Sequence, residues 1–410
     1  MRILVYCDED LSVAAGGARQ VLELTKALMS RGHRIIVVAP QPADDGRHLT
    51  DLAQPDVRYV PVLRYRGLRP LSFLLGSLKI LSRTVREWCP DVLIWFDSPG
   101  QMAPLWVLRD HTCPCVYFVN GLPHEEVRGP WKRTPFRHLL LCGLKRAARR
   151  AEALVSVCPE VLAGLERLQH VAPDRRTVIR NGVDPDLFSP KSRERARVEL
   201  GIDGTGPYIG FVGGFFPWHG LETLIESIPL VASAYPGLQV LLVGEGQTKT
   251  DVEQLVRRKG LTHHVRFVGR VEFTTVPTWI AACDVCVVLH KQTRSYPGDS
   301  MKLWEYLACG RAVVTTAGPG CGDVVESIGC GLAAAQDDPR DLARQIVRLL
   351  REPDSRVRME ETGRAAILKS HTWTVRAREL ERVCCAAIRG RSEAGTHDAT
   401  EMPHRSYGRQ

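Results

Sequence analysis

The segment RILVYCDEDLSVAAGGARQVLELTKALMSRGHRIIVVAP, residues 2–40, contains two β-branched apolar runs separated by an amphipathic stretch. In that stretch Val21, Leu24 and Leu28 recur at helical spacing, and Arg31-Gly32 is a typical helix stop. The apolar runs alternate little with polar residues, so each strand must be covered on both faces. The segment therefore predicts parallel strands that lie between layers of helices.

The same alternation of short apolar runs and helical stretches continues along the chain. In the first half the further runs are 92–96, 115–119, 153–158 and 177–182. After a charged and then glycine-rich stretch near 185–205, runs return at 208–213, 240–244, 265–269, 285–290 and 312–316. We therefore predict an α/β protein with two tandem Rossmann-like, doubly wound domains that face each other across a cleft. Because open α/β sheets bind ligands at the carboxyl ends of their strands, this architecture suits an enzyme that closes on two substrates.

Composition and length exclude several classes of protein. The chain has 410 residues, 44% of them hydrophobic and 25% charged, which is ordinary for a globular protein and not for a disordered or fibrous one. Apolar stretches such as 98–108 are too short to span a bilayer, and the N-terminus lacks the features of a signal peptide, so we expect a cytoplasmic protein. The 13 cysteines are scattered, often within apolar runs, and are expected to be reduced. Cys283 and Cys286 have no second pair at zinc-finger spacing, so no metal is expected there.

The formal net charge is +9, and the excess is concentrated in two segments that contain no acidic residue. Residues 58–86 carry seven Lys or Arg, and residues 128–150 carry eight. These segments are either solvated helices or a patch for an anionic partner. Residues 65–87 also interleave basic residues with leucines, a pattern typical of a helix that lies on an anionic membrane. The alternative is that these leucines face the core of the first domain.

Two common phosphate-binding motifs are missing from the sequence. The turn after the first strand has no G-x-G-x-x-G, and no P-loop is present. Gly16 and Gly17 remain, directly before a helix whose free N–H groups could receive an anion. A simple turn is the alternative.

Residues 14–40 resemble the opening of the family-4 glycosyltransferases, which have the GT-B fold. Later segments are similar to that family in the same order: VIRNGVDPDLFSP (178–190), GFVGGFFPWHGLETLIESI (210–228), LLVGEG (241–246), VRFVGRV (265–271), KLWEYLACGRAVVTT (302–316) and HTWTVRARELERV (371–383). The resemblance implies transfer of a sugar, with retention of anomeric configuration, from a nucleotide diphosphate sugar to an acceptor hydroxyl. It implies no metal ion and no nucleic acid partner. The acceptor it suggests is a glycan or a lipid-linked oligosaccharide of polysaccharide biosynthesis.

The resemblance also implies a division of the chain. We expect an acceptor-side domain over 1–187, a nucleotide-sugar-binding domain over 188–370, and a helix over 371–390 that crosses back to the first domain. Residues 391–410 have almost no apolar content and are predicted to be a disordered tail.

The donor-binding residues are also inferred from the resemblance. Glu305 matches the last glutamate of the family's E-x7-E motif and is expected to accept hydrogen bonds from the ribose hydroxyls. Lys302 lies one turn earlier on the same helix face, within reach of a phosphate. Gly298 and Ser300 open this helix and are expected to contact the diphosphate or the sugar, with Ser300 or Asp299 as N-cap. Gly16 and Gly17 complete the predicted donor site.

In the donor site the sequence departs from the family at three positions. Pro297 stands where the family often has the first glutamate of the motif, and Gly214 and His219 stand where it usually has an arginine and a lysine that grip the diphosphate. His219 could still donate to a phosphate. These departures keep two alternatives open: a non-catalytic nucleotide-sugar-binding or scaffold subunit, and a nucleotide-sugar epimerase of GT-B architecture.

The predicted catalytic residues follow the strand at 115–119. Asn120 stands at the position where many family members have a histidine near the reacting sugar. His124 and Glu125, in the same loop, are predicted to orient or deprotonate the acceptor hydroxyl. Asp97 ends the neighbouring strand and is expected at the same edge.

Overall fold

The computed structural model describes residues 1–13, 16–42, 55–63, 65, 68–97, 101–109, 111, 113–122, 135–202, 206–291 and 298–400, without the side chains of 135–137 and 392–400. The chain forms two compact units. Unit 1 comprises Met1–Ile179 and Arg376–Gln410, and unit 2 comprises Arg180–Val375. The chain therefore passes from one unit to the other at 179–180 and returns at 375–376.

Unit 1 has a seven-stranded sheet whose paired strands are all parallel. Its strands are β1 (Arg2–Tyr6), β2 (Arg34–Pro40), β3 (Asp56–Val60), β4 (Val92–Phe96), β5 (Cys115–Val119), β6 (Ala153–Ser156) and β7 (Arg176–Val178), in the order β3-β2-β1-β4-β5-β6-β7. Its helices include α1 (Gly16–Ser30), α2 (Arg69–Trp88), α3 (Ala103–Val107), α4 (Pro135–Arg150) and α5 (Pro159–Leu168). The strand order reverses beside β1, which places the carboxyl ends of β1, β4 and β5 at the usual ligand edge.

Unit 2 repeats this architecture with six parallel strands. They are β8 (Tyr208–Val212), β9 (Gln239–Val243), β10 (Val265–Gly269), β11 (Val285–Val288), β12 (Val313–Thr316) and β13 (Gly331–Ala334), in the order β10-β9-β8-β11-β12-β13. The helices are α6 (Arg193–Glu199), α7 (Leu221–Ala232), α8 (Lys249–Arg258), α9 (Val276–Ala281), α10 (Met301–Ala308), α11 (Cys321–Ile328), α12 (Pro339–Arg351) and α13 (Pro353–Ser370). A last helix, α14 (Trp373–Thr400), returns the chain to unit 1.

Successive residues of β8 show why this sheet is covered on both sides. Tyr208 and Val212 belong to one hydrophobic cluster, whereas Ile209 and Phe211 belong to a second one. Since neighbouring side chains of a strand point to opposite faces, each face of the sheet packs against its own apolar layer. This arrangement confirms the predicted class of two parallel-sheet α/β domains.

The structure contains two strands that the sequence pattern does not predict. β3 (DVRYV) is mostly half-exposed or exposed, and β13 (GLAA) consists largely of small residues, so neither forms a β-branched apolar run. Both lie at the edge of a sheet, where the pairing with β2 or β12 holds them.

Helix α14 extends ten residues beyond the predicted end at residue 390. Its first half is attached to unit 1 by Glu381, which accepts from Arg31 Nε at 2.7 Å and lies 3.1 Å from His33 Nε2. Just past the predicted end, Arg391 pairs with Glu152. This ion pair anchors the helix beyond residue 390, whereas the sequence predicts a tail from residue 391 on.

Candidate active site

The loop after β8 is built from glycines at the points where other chain segments come closest. Gly213 has φ +148°, and a Cβ atom placed there would lie 2.8 Å from Cδ of Lys302. Gly244, after β9, has φ +131°, and a Cβ there would overlap the carbonyl oxygen of Gly213. The two glycines thus let the loop approach β9 while the stem of Lys302 passes over it.

His219 and Lys302 form a hydrogen-bonded pair across this loop. Lys302 Nζ lies 3.1 Å from His219 Nε2, and His219 Nδ1 lies 2.5 Å from the carbonyl oxygen of Gly214. Since a carbonyl only accepts, Nδ1 carries the proton and donates, which leaves Nε2 to accept from the ammonium group. The buried His219 ring is therefore neutral in this arrangement, and it orients Lys302.

The Lys302 ammonium group is in a poorly solvated place. Burial lowers its pKa to about 8, and the nearby carboxylate of Glu305 opposes that shift. The ring of Phe211 lies beneath it, with the centroid 5.6 Å from Nζ. A cation held in this way with little solvation gains strongly when an anion arrives.

Helix α10 carries both Lys302 and Glu305, and Tyr306 fixes its position against β8. The Tyr306 hydroxyl accepts from the N–H of Val212 at 2.8 Å and donates to the carbonyl of Val212 at 3.1 Å. Both predicted donor-site side chains, Lys302 and the half-buried Glu305, lie on one face of the helix, as their spacing predicts. Tyr306 is not among the site residues predicted from the sequence, although its place directly after Glu305 was a usable signal.

The turn before α10 differs in detail from the expectation. Gly298 has φ +75°, a conformation that favours glycine. Ser300 occupies the N-cap position, but its side chain makes no capping hydrogen bond. Neither does Asp299 cap the helix, because its carboxylate accepts from Asn181 N–H and Trp304 Nε1 instead.

In unit 1, Glu9 comes close to the start of α1. Gly16 is the first residue of this helix, and a Cβ atom on Gly17 would collide with the Glu9 carboxylate. Burial raises the pKa of Glu9, while the charge of Arg69 opposes that shift. The predicted glycine pair therefore faces the protein's own Glu9 carboxylate, and Glu9 is not among the site residues predicted from the sequence.

The acidic run after β1 also includes Asp8 and Asp10, and it has the form Asp-x-Asp. Asp8 Oδ1 lies 3.1 Å from Arg69 Nη2, and its side chain is almost fully buried. Asp10 Oδ1 accepts from the hydroxyl of Ser12 at 2.6 Å. Across the part of the chain that the structure describes, no three His, Cys, Asp or Glu side chains are grouped so that they could hold a metal ion.

Asn120 and Asp97 end neighbouring strands of unit 1. Asn120 Nδ2 donates to Gln20 Oε1 at 2.6 Å, and its Oδ1 is buried without a hydrogen-bond partner among the described residues. Asp97 accepts from the hydroxyl of the buried Tyr117. The predicted residues His124 and Glu125, and also Pro297, lie outside the described residues.

Comparison with known proteins supports the resemblance to glycosyltransferases. Residues 206–352 match the family described as "Glycosyl transferases group 1", and residues 14–187 match "Glycosyltransferase Family 4". Over 396 residues the chain is 26% identical to a phosphatidyl-myo-inositol mannosyltransferase of Mycobacterium tuberculosis, covering 93% of this chain and 96% of that protein. A GDP-mannose-dependent monoacylated alpha-(1-6)-phosphatidylinositol monomannoside mannosyltransferase of Corynebacterium glutamicum is 28% identical over 50% of this chain and 54% of its own length.

A solved structure supports the fold alone. Sucrose-phosphate synthase from Thermosynechococcus elongatus superimposes with a TM-score of 0.80 at 19% identity and covers 95% of this chain and 99% of that chain. Together with the two matched families, this fold defines a glycosyltransferase of GT-B architecture. Within that class, the chain belongs to glycosyltransferase family 4.

Proposed function

We propose that this glycosyltransferase transfers a hexosyl group from a nucleoside diphosphate sugar to an acceptor hydroxyl of a glycan or a lipid-linked oligosaccharide, with retention of configuration and without a metal ion. The observation that carries the proposal is the Lys302–His219 pair, with Glu305 one turn further along α10. Lys302 and Glu305 supply the cation and the carboxylate that such a donor requires, and both lie on one short helix.

The cationic side of this site suits the leaving group. As the glycosidic bond breaks, negative charge grows on the departing diphosphate, and a fixed cation stabilises it. Lys302 is such a cation, held by His219 at 3.1 Å. The N-terminus of α10 adds a partial positive charge, and no side chain caps it. Lys302 thereby takes over the role for which the family usually employs the loop positions of Gly214 and His219.

Glu305 supplies the other half of donor recognition. Its carboxylate can accept two hydrogen bonds from the ribose hydroxyls, and it stands one turn from Lys302. A nucleoside diphosphate bound in this way presents its ribose to the carboxylate and its phosphates to the amine. In unit 1, the buried unpaired Oδ1 of Asn120 is suited to accept from a hydroxyl of the acceptor.

Membership of family 4 is consistent with retention, and the cationic groups of the site support a reaction without a metal ion. The Lys302 ammonium group and the N-terminus of α10 are the kinds of group that stabilise a diphosphate, and we propose that they replace the divalent ion. The configuration of the product is read from the anomeric proton coupling of the purified glycoside. A product of inverted configuration would contradict the assignment to a retaining mechanism.

The experiment that tests the function measures nucleotide binding and release. Titration with GDP and with UDP identifies the base, and release of the nucleoside diphosphate from the matching sugar nucleotides reports turnover. Nucleotide present at 100 times its dissociation constant should stabilise the protein by about 2.7 kcal/mol. Binding of neither nucleotide, together with no turnover of any donor, would refute the proposal.

We further propose that unit 1 docks on an anionic membrane surface through one face of α2. The opposite face is occupied: Phe73, Ser77 and Leu81 are buried in unit 1. On the outer face, Leu71 and Leu75 are 53% and 58% exposed. One and two turns further along, Lys79 and Arg83 are exposed as well. Apolar and basic side chains on one exposed face are typical of interfacial helices, and the positive charge complements anionic lipid.

A relative and the described helices are consistent with this contact. The name of the mycobacterial relative specifies a phosphatidylinositol acceptor, which is a membrane lipid. Among the helices of the described residues, none is long and apolar enough to cross a membrane.

Co-sedimentation with vesicles tests this contact. The variant Leu71→Gln with Leu75→Gln should bind vesicles of about 30% anionic lipid at least about tenfold more weakly, because each leucine contributes about 1 kcal/mol on burial. The matched control is Val357→Gln with Leu368→Gln on α13, which are also exposed. Equal binding of wild type to neutral and anionic vesicles, or equal loss in both variants, would contradict the proposal.

A further inference from the structure

The side chain of Asp299 is enclosed and lies near the candidate donor site. Only 2% of its side chain is exposed, although it lies in the turn that begins α10. Its carboxylate accepts from the backbone N–H of Asn181 at 2.6 Å and from Trp304 Nε1 at 3.1 Å, and Arg180 Nη1 lies 3.4 Å away. Burial raises the pKa of Asp299, and these three donors oppose that shift.

The bond network is reciprocal. The Asn181 side chain donates to the carbonyl oxygen of Asp299 at 2.9 Å, so the two residues are joined through both side chains and both backbones. They are separated by 118 residues in sequence. The Arg180 side chain, the Asn181 backbone N–H and the Asn181 side chain thereby hold the turn at residues 298–300 in one position relative to residues 180–181.

The partner segment of Asp299 is the first stretch of unit 2 after the chain leaves unit 1. The returning segment is attached at the same place. Val183 N–H donates to the carbonyl of His371 at 3.0 Å, and the His371 ring stacks on Trp304 with centroids 4.2 Å apart. Asp299 and Trp304 thus connect the start of α10 to both ends of unit 2.

From this placement we infer that Asp299 is a positioning residue: it fastens the start of α10 to the Arg180–Asn181 segment, and through this contact it sets the affinity of the site for the nucleoside diphosphate. The inference rests on the proposed function of Lys302 and Glu305. It explains why a carboxylate next to an uncapped helix N-terminus is turned away from that terminus. With both oxygens engaged elsewhere, its negative charge does not occupy the place where an anionic ligand would bind.

The contact also gives α10 a fixed starting point. Lys302 and Glu305 lie three and six residues after Asp299, within the first two turns. A shift of the turn would move both side chains together relative to the Gly213–His219 loop. Because hydrogen bonds to phosphate and ribose weaken steeply with distance and angle, such a shift lowers affinity even when the fold is intact.

The test compares three variants by titration with GDP and UDP, using the full chain and whichever nucleotide the wild type binds. Asp299→Ala removes every contact of the carboxylate and should raise the dissociation constant about tenfold. Asp299→Asn should retain most of the affinity, because its amide oxygen still accepts from Asn181 and Trp304. Arg180→Gln removes only the longest of these contacts and should raise the dissociation constant less than Asp299→Ala does.

Two readouts separate positioning from loss of folded protein. A smaller folded fraction lowers the binding stoichiometry and the maximal rate, but leaves the dissociation constant and the KM for donor unchanged. Loss of positioning raises the dissociation constant and the donor KM at full stoichiometry. If Asp299→Ala does not fold, Asn181→Ala tests the same contact, because it removes the 2.9 Å bond to the Asp299 carbonyl while the backbone N–H of residue 181 can still donate to the carboxylate.

The possible outcomes distinguish the inference from the function on which it rests. If the wild type binds neither nucleotide and turns over no donor, the proposed function fails. If the wild type binds and Asp299→Ala, or Asn181→Ala in its place, binds equally well, the positioning role is refuted while the function stands. An Asp299→Asn variant as weak as Asp299→Ala would also overturn the inference, since the retained amide oxygen should then have restored the contact.

Discussion

Lys302 should take up a proton when the protein binds a nucleoside diphosphate. In the free protein burial lowers the pKa of its amine to about 8, so at pH 8 half of the molecules lack the proton. A bound diphosphate places negative charge beside Nζ and raises that pKa. The terminal phosphate has a second pKa of about 6 and is fully ionised in this range, so the proton is taken up by the protein.

The magnitude follows from the pKa. At pH 8 binding should take up about 0.5 proton, and at pH 9 about 0.9, if the complex keeps Lys302 charged. The dissociation constant should accordingly rise about tenfold between pH 7 and pH 9. Lys302→Met should weaken binding by roughly 1.5–3 kcal/mol, the usual contribution of a charged hydrogen bond, and should abolish this pH dependence.

Lys302→Met should weaken nucleotide binding but increase the stability of the free protein. A folded-state pKa of about 8, below the usual 10.5, means that folding disfavours the charged amine below pH 8. The unfolded chain holds more protons between pH 8 and 10.5, so the wild type gains stability as pH rises through that window. At pH 7 the cost corresponds to about 3 kcal/mol at most. Lys302→Met should therefore raise the free energy of unfolding at pH 7, and the advantage should vanish towards pH 10.5.

The assay is calorimetric titration at pH 8 and 9 in buffers of different ionisation enthalpy, combined with urea unfolding at pH 7. The matched control is Lys259→Met, which removes an exposed lysine of the same unit. It should leave affinity, proton uptake and their pH dependence unchanged. No proton uptake at either pH, or equal affinity of Lys302→Met and wild type, would refute the assignment of Lys302 to the diphosphate.

Three further expectations test other parts of the site. Glu305→Ala should weaken nucleotide binding at least about tenfold and move its pH dependence to lower pH, because Glu305 raises the pKa of Lys302. The exposed control Glu326→Ala should do neither, and a Glu305→Ala variant with wild-type turnover would show that the donor binds elsewhere. Transfer should persist in excess chelator, and a loss of activity that manganese or magnesium restores would contradict the metal-free proposal. Gly244→Ala should lower the free energy of unfolding by clearly more than Gly260→Ala. Gly260 has φ +67° but open space around an added Cβ atom, so its substitution should cost about 1 kcal/mol of stability. Equal losses of stability in thermal unfolding would mean that the close contact of residue 244 with Gly213 is not the cause.

Local patterns in the sequence were sufficient to predict most of the central strands. β1, β4 and β5 are buried along their length or nearly so, and a strand that is buried on both faces must be apolar throughout. The spacing of Lys302 and Glu305 likewise predicts that both lie on one helix face. The edge strands β3 and β13 escaped detection, because pairing rather than burial holds them.

The sequence by itself therefore determined the two parallel-sheet units and the helix that carries the donor residues, because burial and helical periodicity are local properties of a chain. Only the tertiary structure decided the partners of those residues. The contact of Lys302 with His219 joins positions 83 residues apart, and that of Asp299 with Asn181 joins positions 118 apart. Such pairs depend on which loops meet at the carboxyl ends of the strands and on how strongly burial disfavours an unpaired charge. No short stretch of sequence contains that information.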